Sequence, residues 1–97
     1  MFADIPHYLV IDSAFHATIP AKAYTYPLPE EIVERYKYRR FGFHGISYSY
    51  ISHKMPQILQ KPAGKINMIV CHLGTGGASV MAVKDGKSVD TSMGASP

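Results

Sequence analysis

The residues best suited to chemistry in this chain of 97 residues lie in a glycine-rich stretch between two mostly apolar runs. His72 precedes three glycines within residues 74–77, and the apolar runs cover residues 66–71 and 80–83. Glycine lets a backbone turn tightly and approach a ligand closely, with N–H groups directed inward. The pattern predicts a strand, a turn and a second strand, and it is compatible with a turn that cradles a phosphate.

An ordinary hairpin turn explains the same stretch, because glycine turns between strands are common. The spacing matches neither the Gly-x-Gly-x-x-Gly that opens a helix nor the Gly-Lys-Ser/Thr of phosphate-binding loops. A phosphate bound here would be held by a hairpin and not by a helix N-terminus. Taken alone, the glycine stretch leaves both interpretations open.

Three further segments carry polar side chains at the ends of apolar or glycine-flanked stretches. Asp12 follows the apolar residues 8–11, His44 lies between two glycines, and the stretch Val-Asp-Thr-Ser-Met-Gly covers residues 89–94. Together with the glycine stretch, and in this order, they closely resemble acetate kinase and the related propionate and butyrate kinases. The resemblance runs from about residue 8 to residue 97.

The resemblance implies an α/β fold, part of the sugar kinase/Hsp70/actin (ribonuclease H-like) fold, built from a β-meander plus helices. Residues 1–12 would end an N-terminal domain and form the hinge, and residues 13–97 would begin the C-terminal domain. Proteins of this family are several times longer than 97 residues. We therefore expect the chain to be a central fragment of a longer protein.

The activity that the resemblance implies is phosphoryl transfer from ATP, with Mg²⁺, to acetate, giving acetyl phosphate and ADP in organic acid metabolism. Propionate is the alternative substrate. The 97-residue chain alone would be an inactive remnant or a binding module, because the family's key arginines and most Mg²⁺ ligands come from other segments. The full-length protein would be a cytoplasmic homodimer.

Site residues follow from the motif matches. Asp12 matches the family's active-site aspartate, and His44 matches its transition-state histidine. Phe43 and Pro97 match positions that line the small apolar pocket for the acyl group. The remaining residues match the phosphate-binding loop: His72, Leu73, Gly74, Thr75, Gly76 and Gly77.

Several of these positions depart from the usual family pattern. Ser13 and Ile46 stand where threonine is usual, Tyr48 replaces a second histidine, and Thr75 replaces an asparagine. The glycine stretch also looks one residue longer than the commonest version. These changes affect the role of the second histidine and the contacts to ATP.

Each functional interpretation has a structural alternative. Asp12 could hydrogen-bond the backbone of its own loop. His44 could be a core histidine satisfied by backbone groups, and Phe43 could be a packing residue. The basic and aromatic residues 35–41 are typical of a solvated helix end more often than of a nucleic-acid site.

Composition narrows the class of protein. The formal net charge is +3, and no apolar run approaches the ~20 residues needed to span a bilayer. We therefore predict no nucleic-acid or membrane partner. The single cysteine, Cys71, excludes an internal disulfide and is predicted to be a buried, reduced core residue. The N-terminus does not resemble a signal peptide.

The other histidines give no metal site. His7, His16 and His53 do not share a metal-ligand spacing, so we expect surface or supporting roles for them and predict no metal ligands. Arg39 and Arg40 lie outside the family motifs and are not assigned to catalysis.

The expected elements begin with a buried strand over residues 7–11 and an extended connection over residues 13–28. A short helix begins at Pro29, and a turn follows at residues 42–45. A second helix begins at about Ser47. Its inward side chains would be Tyr50, Ile51 and Met55, and Pro56 should end or kink it.

A loop at residues 61–64 leads to the β-meander. Its second turn is predicted at Asp85-Gly86, because this pair is a strong two-residue hairpin signal. A regular hairpin about that turn places Ala82 opposite Val89 and Met81 opposite Asp90.

Overall fold

The computed structural model describes residues 3–94, which form three α-helices, two 3₁₀ turns and one antiparallel sheet. The helices are α1 (Ala21–Tyr24), α2 (Glu30–Tyr36) and α3 (Gly45–Leu59), and the 3₁₀ turns are Ala14–Thr18 and Ala63–Lys65. The strands are β1 (Met68–Gly74), β2 (Gly77–Lys84) and β3 (Lys87–Thr91), in the order β1-β2-β3. The predicted α/β class and the β-meander are confirmed.

Both sheet connections are two-residue turns. Gly74 pairs with Gly77 across the first turn. The second turn is at Asp85 and Gly86, with φ angles of 51° and 77°. Two consecutive left-handed residues are what this type of hairpin turn requires, and glycine and aspartate adopt that conformation at low cost.

The predicted register between β2 and β3 is wrong by one residue beyond the turn. Val83 pairs with Ser88 as a regular hairpin requires, but Ala82 lies opposite Asp90 and Met81 opposite Thr91. A β-bulge between Ala82 and Val83 causes the shift, because an extra residue is inserted in the partner strand. Nothing in the local sequence signals this bulge.

The core lies between α3 and the inner face of the sheet. Its buried centre is formed by Tyr48, Met81 and Val83, with Phe15, Met68 and Val70 packed against it. The alternation of β2 directs every second side chain inward, which explains the burial of both Met81 and Val83. The 3₁₀ turn Ala14–Thr18 covers one end, in contact with β3 and α3.

The inward face of α3 differs in part from the prediction. The helix begins at Gly45, before the predicted Ser47, and Tyr48 is its fully buried aromatic residue. Tyr50 is 61% exposed, so its predicted inward position is wrong. The helix does not end at Pro56 and continues to Leu59, although proline removes one N–H from the hydrogen-bond ladder.

The predicted buried strand at residues 7–11 is also wrong. No strand forms there, and Tyr8, Leu9 and Val10 are 86%, 87% and 70% exposed. A strand needs a neighbour for its backbone groups, and none of β1 to β3 pairs with this segment. Residues 13–28 are not a continuous extended connection either, because they contain the first 3₁₀ turn and α1.

The exposure of α2 and of Cys71 differs from the prediction. The predicted helix after Pro29 is confirmed as α2, but Ile32 and Tyr36 on its apolar face remain exposed. Cys71 is exposed and not buried, because the alternation of β1 directs it to the outer face of the sheet.

In the part of the chain that the structure describes, no helix is long and apolar enough to cross a membrane.

Candidate active site

Asp12 and the start of helix α3 are joined by backbone hydrogen bonds. Asp12 Oδ2 accepts a hydrogen bond of 2.8 Å from the backbone N–H of His44, and Oδ1 accepts one of 3.3 Å from that of Ile46. The backbone carbonyl of Asp12 accepts a third, of 2.8 Å, from Gly45. The first N–H groups of a helix lack partners within the helix, so a carboxylate at this end is stabilising.

The close approach of the two segments explains the glycine that follows His44. A Cβ atom at Gly45 would collide with the carbonyl oxygen of Asp12. His44 itself has a left-handed backbone, with φ 59°, and is the N-cap residue of α3. The turn at residues 42–45 is thus confirmed, and it presents the His44 side chain to the sheet.

The carboxylate of Asp12 does not bond the backbone of its own loop, which was the structural alternative considered for it. Each of its oxygens accepts one backbone N–H from another segment. An ionised carboxylate has about four lone-pair sites, so acceptor capacity remains for water or a ligand.

The imidazoles of His44 and His72 lie stacked, with 4.0 Å between ring centroids and an angle of 21° between planes. His44 Nδ1 is 2.8 Å from Ser79 Oγ, and His72 Nδ1 is 3.1 Å from Ser47 Oγ. Each ring is thereby fixed through Nδ1 by a serine hydroxyl. The structure brings together two histidines from different segments, the N-cap residue of α3 and a residue of β1.

The Nε2 atoms of both rings face the hairpin between β1 and β2. A methyl group added at Gly77 would lie 3.6 Å from His44 Nε2, and one added at Gly74 would lie 3.1 Å from His72 Nε2. Within residues 3–94, neither Nε2 atom forms a hydrogen bond. The arrangement places two nitrogen atoms beside the glycines of the hairpin, and the end of the Met93 side chain lies next to the same Gly77 position, 3.4 Å from an added methyl group.

The glycine stretch forms a tight hairpin. Gly74 and Gly77 belong to the paired strands, so only Thr75 and Gly76 form the turn itself. A side chain at Gly76 would meet open space. Leu73 is on the outer face of the sheet and is 80% exposed, away from the histidines. A phosphate contact at this hairpin stays a prediction, and its N–H donors would be those of Thr75 and Gly76.

The structure describes one of the two residues predicted to line the acyl pocket. Phe43 is half-buried beside His44, and its carbonyl oxygen is 2.9 Å from His16 Nε2. Pro97 lies outside the described residues. The acyl pocket therefore stays a prediction.

His16 is a buried residue that the sequence analysis placed among surface or supporting histidines. It is 1% exposed, and its Nδ1 lies 2.8 Å from Ser88 Oγ. Because a carbonyl oxygen only accepts, Nε2 carries the hydrogen toward Phe43, and Nδ1 accepts from Ser88. Burial lowers the pKa of His16 below its usual 6.5, against smaller raising effects of the Phe43 hydrogen bond and the Asp12 charge.

Tyr48 and Ser79 form the buried side of the site. Tyr48 is fully buried, and its hydroxyl lies 2.5 Å from Ser79 Oγ, the same atom that His44 contacts. Burial raises the pKa of Tyr48 above its usual 10.0, and hydrogen bonds to Ser79 and to the His72 backbone oppose that rise. The sequence analysis missed Ser79. The alternation of β2, with Met81 and Val83 inward, is the signal that would have identified it.

A metal site of protein ligands is not formed by this part of the chain. Among residues 3–94, no three histidine, cysteine, aspartate or glutamate side chains are grouped so that they could hold a metal ion. Asp12 is the carboxylate of the site, and both its oxygens already accept backbone N–H groups.

Comparison with known proteins connects this geometry to one family. The model of the acetokinase family matches residues 1–97. The acetate kinase of Acetivibrio thermocellus is 55% identical over 94 residues, which are 97% of this chain and 23% of that protein. The acetate kinase of Oleidesulfovibrio alaskensis is 52% identical over 97 residues, which are 100% of this chain and 24% of that protein. The chain thus spans about a quarter of the length of these relatives.

Two solved kinase structures have the same fold as this chain over the part that superposes. Porphyromonas gingivalis acetate kinase superposes with a TM-score of 0.84 at 41% identity, over 89% of this chain and 21% of that chain. A propionate kinase from Francisella tularensis superposes with a TM-score of 0.78 at 46% identity, over 86% of this chain and 21% of that chain. These neighbours confirm the predicted fold, a part of the sugar kinase/Hsp70/actin type.

Proposed function

The chain belongs to the acetokinase family, and we propose that the protein carrying it transfers a phosphoryl group from ATP to a short-chain carboxylate. The products are an acyl phosphate and ADP. We propose acetate as the acid, because the curated relatives cited above are acetate kinases. Propionate is the second candidate, favoured by the likeness to a solved propionate kinase.

One observation carries this proposal, namely the meeting of Asp12, His44 and His72 beside an open glycine hairpin. Phosphoryl transfer requires positioning of the partners and hydrogen-bond donors around the transferring group, and little covalent work by the protein. The Nε2 atoms of both histidines lie beside the same hairpin, and each can donate there in the tautomer that carries its hydrogen on Nε2. His44 would donate to an equatorial oxygen of the phosphoryl group as negative charge spreads over it.

Asp12 has a positioning role in this proposal. A carboxylate substrate is already ionised at neutral pH, so it needs no general base. Asp12 instead fixes the backbone of His44 at the start of α3. Its remaining lone pairs orient a water molecule or a ligand that is bound to the substrate.

ATP would approach the hairpin. The N–H groups of Thr75 and Gly76 lie outside the strand pairing, and we propose that they bind a phosphate oxygen with His72 at the edge of the site. Mg²⁺ commonly reaches such sites with substrate phosphates, one or two carboxylates and several waters. We propose that it accompanies ATP here and draws most of its protein ligands from other segments.

The acyl group would lie near Phe43, with Pro97 as the second pocket residue. We further propose that residues 1–12 end an N-terminal domain and form a hinge, and that residues 13–97 begin the C-terminal domain. The exposed apolar residues 8–10 support this division, because a longer protein would cover them. We also propose that the full-length protein is a cytoplasmic homodimer.

A second candidate applies to the 97-residue chain alone, which would be an inactive remnant or a binding module. The short span relative to the acetate kinases favours it. The two candidates do not exclude each other, because one concerns the whole protein and the other concerns the isolated chain.

A graft enzyme tests the proposed function. In it, this chain replaces the matching 94-residue segment of the Acetivibrio thermocellus acetate kinase. We expect ATP-dependent acyl phosphate formation, trapped with hydroxylamine, to be fastest with acetate and slower with propionate and butyrate. A folded graft enzyme that forms no acyl phosphate from any of the three acids would overturn the proposal.

A further inference from the structure

Ser79 joins His44 to Tyr48 in a chain of buried hydroxyl groups. Ser79 Oγ lies 2.8 Å from His44 Nδ1 and 2.5 Å from the Tyr48 hydroxyl. Ser79 is 2% exposed and Tyr48 is fully buried, so water does not compete for the hydrogen bond between them, and the bond to His44 is partly buried. Buried hydroxyl chains of this kind polarise one another and hold their members in fixed orientations.

The number of available hydrogens limits which directions the hydrogen bonds among Tyr48, Ser79 and His44 can take. Ser79 has one O–H, so it donates to one neighbour and accepts from the other. Tyr48 is fully buried, and among residues 3–94 Ser79 Oγ is the partner of its hydroxyl, so the reverse direction would leave the phenol hydrogen buried without an acceptor. A phenol is the stronger donor of the two hydroxyls, and a neutral imidazole nitrogen is a good acceptor. The consistent direction runs from Tyr48 to Ser79 to His44.

We propose that Ser79 and Tyr48 are positioning residues that hold the His44 imidazole in the tautomer with its hydrogen on Nε2. This inference rests on the proposed function, since it assigns a purpose to the donor at the glycine hairpin. With Nδ1 accepting from Ser79, the hydrogen of neutral His44 lies on the nitrogen that faces Gly77. His44 is then a donor to a phosphoryl oxygen without being protonated.

The opposite direction would defeat that role. If Nδ1 carried the hydrogen and donated to Ser79, Nε2 would present a lone pair to the phosphate oxygens, and the two would repel. The direction of the hydroxyl chain therefore decides whether neutral His44 attracts or repels the transferring group.

The proposal also gives Tyr48 a role of its own. The family pattern usually has a second histidine at this position, and the sequence left the effect of the change open. Here the phenol is fully buried and directs its hydroxyl to Ser79. His72 has no equivalent chain, because its Nδ1 is held by the half-buried Ser47 alone, at 3.1 Å.

The tautomer of His44 is directly measurable. We would label the histidines of the 97-residue chain with ¹⁵N and record their long-range proton–nitrogen NMR correlations about two pH units above the ordinary histidine pKa. The expected spectrum has His44 Nε2 in the range of a protonated ring nitrogen and Nδ1 in the range of an unprotonated one. The reverse pattern, or equal averaging over the two tautomers, would overturn the proposal without any variant.

Three variants test whether the hydroxyl chain causes this preference. Ser79→Ala should move both His44 nitrogens toward averaged shifts, and Tyr48→Phe should do so in part while keeping the aromatic ring. The matched control is Ser88→Ala, which removes a serine from His16 Nδ1 at the same distance of 2.8 Å. It should leave the His44 signals in place. Unchanged His44 signals in Ser79→Ala would contradict the proposal.

Kinetics of the graft enzyme give a second readout. Ser79→Ala should lower kcat about 10²-fold, the scale of a misplaced catalytic group, with little change in the KM for ATP. Ser79→Thr retains the hydroxyl and should recover most of that loss, whereas loss without recovery would indicate packing alone and overturn the proposal. If the unsubstituted graft enzyme is inactive, the proposed function fails, and the NMR experiment on the chain still decides the tautomer.

Discussion

The carboxylate of Asp12 accepts a 2.8 Å hydrogen bond from the backbone N–H of His44, 32 residues further along the chain. This bond fixes the start of α3 and, with it, the direction of the His44 side chain. Asp12, which sequence motifs assign to the active site, therefore also orients His44, the second residue that they assign to it. Removing the carboxylate should affect both roles.

Asp12→Asn tests this double role in the graft enzyme. Asparagine keeps one acceptor, but its NH₂ group would face a backbone N–H of His44 or Ile46 where an acceptor is required. We expect kcat to fall by about 10²–10³-fold, the scale of one electrostatic contact in a transition state. Asp90→Asn is the matched control, because Asp90 forms an exposed ion pair with Arg40. Comparable losses in both variants would rule out a specific role for Asp12.

The hairpin prediction concerns Gly76. Gly76→Val places a branched side chain in the open space where a phosphate would approach, so we expect a higher KM for ATP with an intact fold. Gly64→Val is the control, since a Cβ at Gly64 also meets open space but lies in the 3₁₀ turn Ala63–Lys65. An unchanged KM for ATP in Gly76→Val would leave the hairpin as an ordinary turn.

Phe43→Ala tests the acyl pocket. Apolar pockets distinguish one methylene by ~1–3 kcal/mol, so enlarging the pocket should shift preference from acetate toward propionate or butyrate. The KM for ATP should change little. Phe41→Ala, at a neighbouring exposed phenylalanine, is the control. A raised KM for ATP with the acid preference retained would show that Phe43 is a packing residue.

His16 should make stability depend on pH. Its pKa is lowered in the folded state by burial, so below the unfolded value of about 6.5 the unfolded chain binds more protons than the folded chain. The free energy of unfolding from urea titrations should therefore fall as pH decreases from about 6.5. The loss should stop below the folded pKa.

The variant His16→Gln should remove this part of the pH dependence, because glutamine does not titrate. His53→Gln replaces an exposed histidine and should leave the dependence as it was. A flat unfolding free energy between pH 6.5 and 5 in the unsubstituted chain would contradict the assignment to His16.

Local signals account for what the sequence predicted correctly. Asp85-Gly86 specifies its own turn, and Pro29 with two following acids specifies the start of α2. The order of the motifs predicted the fold and the family, which the family model and the superposed kinase structures confirm.

Several of the errors depend on contacts or irregularities that the local sequence pattern does not specify. A strand at residues 7–11 requires a pairing partner, and the register beyond Val83 depends on a bulge. The burial of His16 follows from Ser88, 72 residues away, and the role of Ser79 follows from α3. Apolar runs and turn residues contain no information about such contacts.

The kcat of a graft enzyme with His44→Ala tests the central claim most directly. Because His44 is proposed to donate a hydrogen bond mainly in the transition state, kcat for acetyl phosphate formation should fall by about 10²–10³-fold, and the KM for ATP should rise much less. The exposed His53→Ala variant should retain full activity. A His44→Ala graft enzyme that is folded and keeps near-normal kcat would contradict the account.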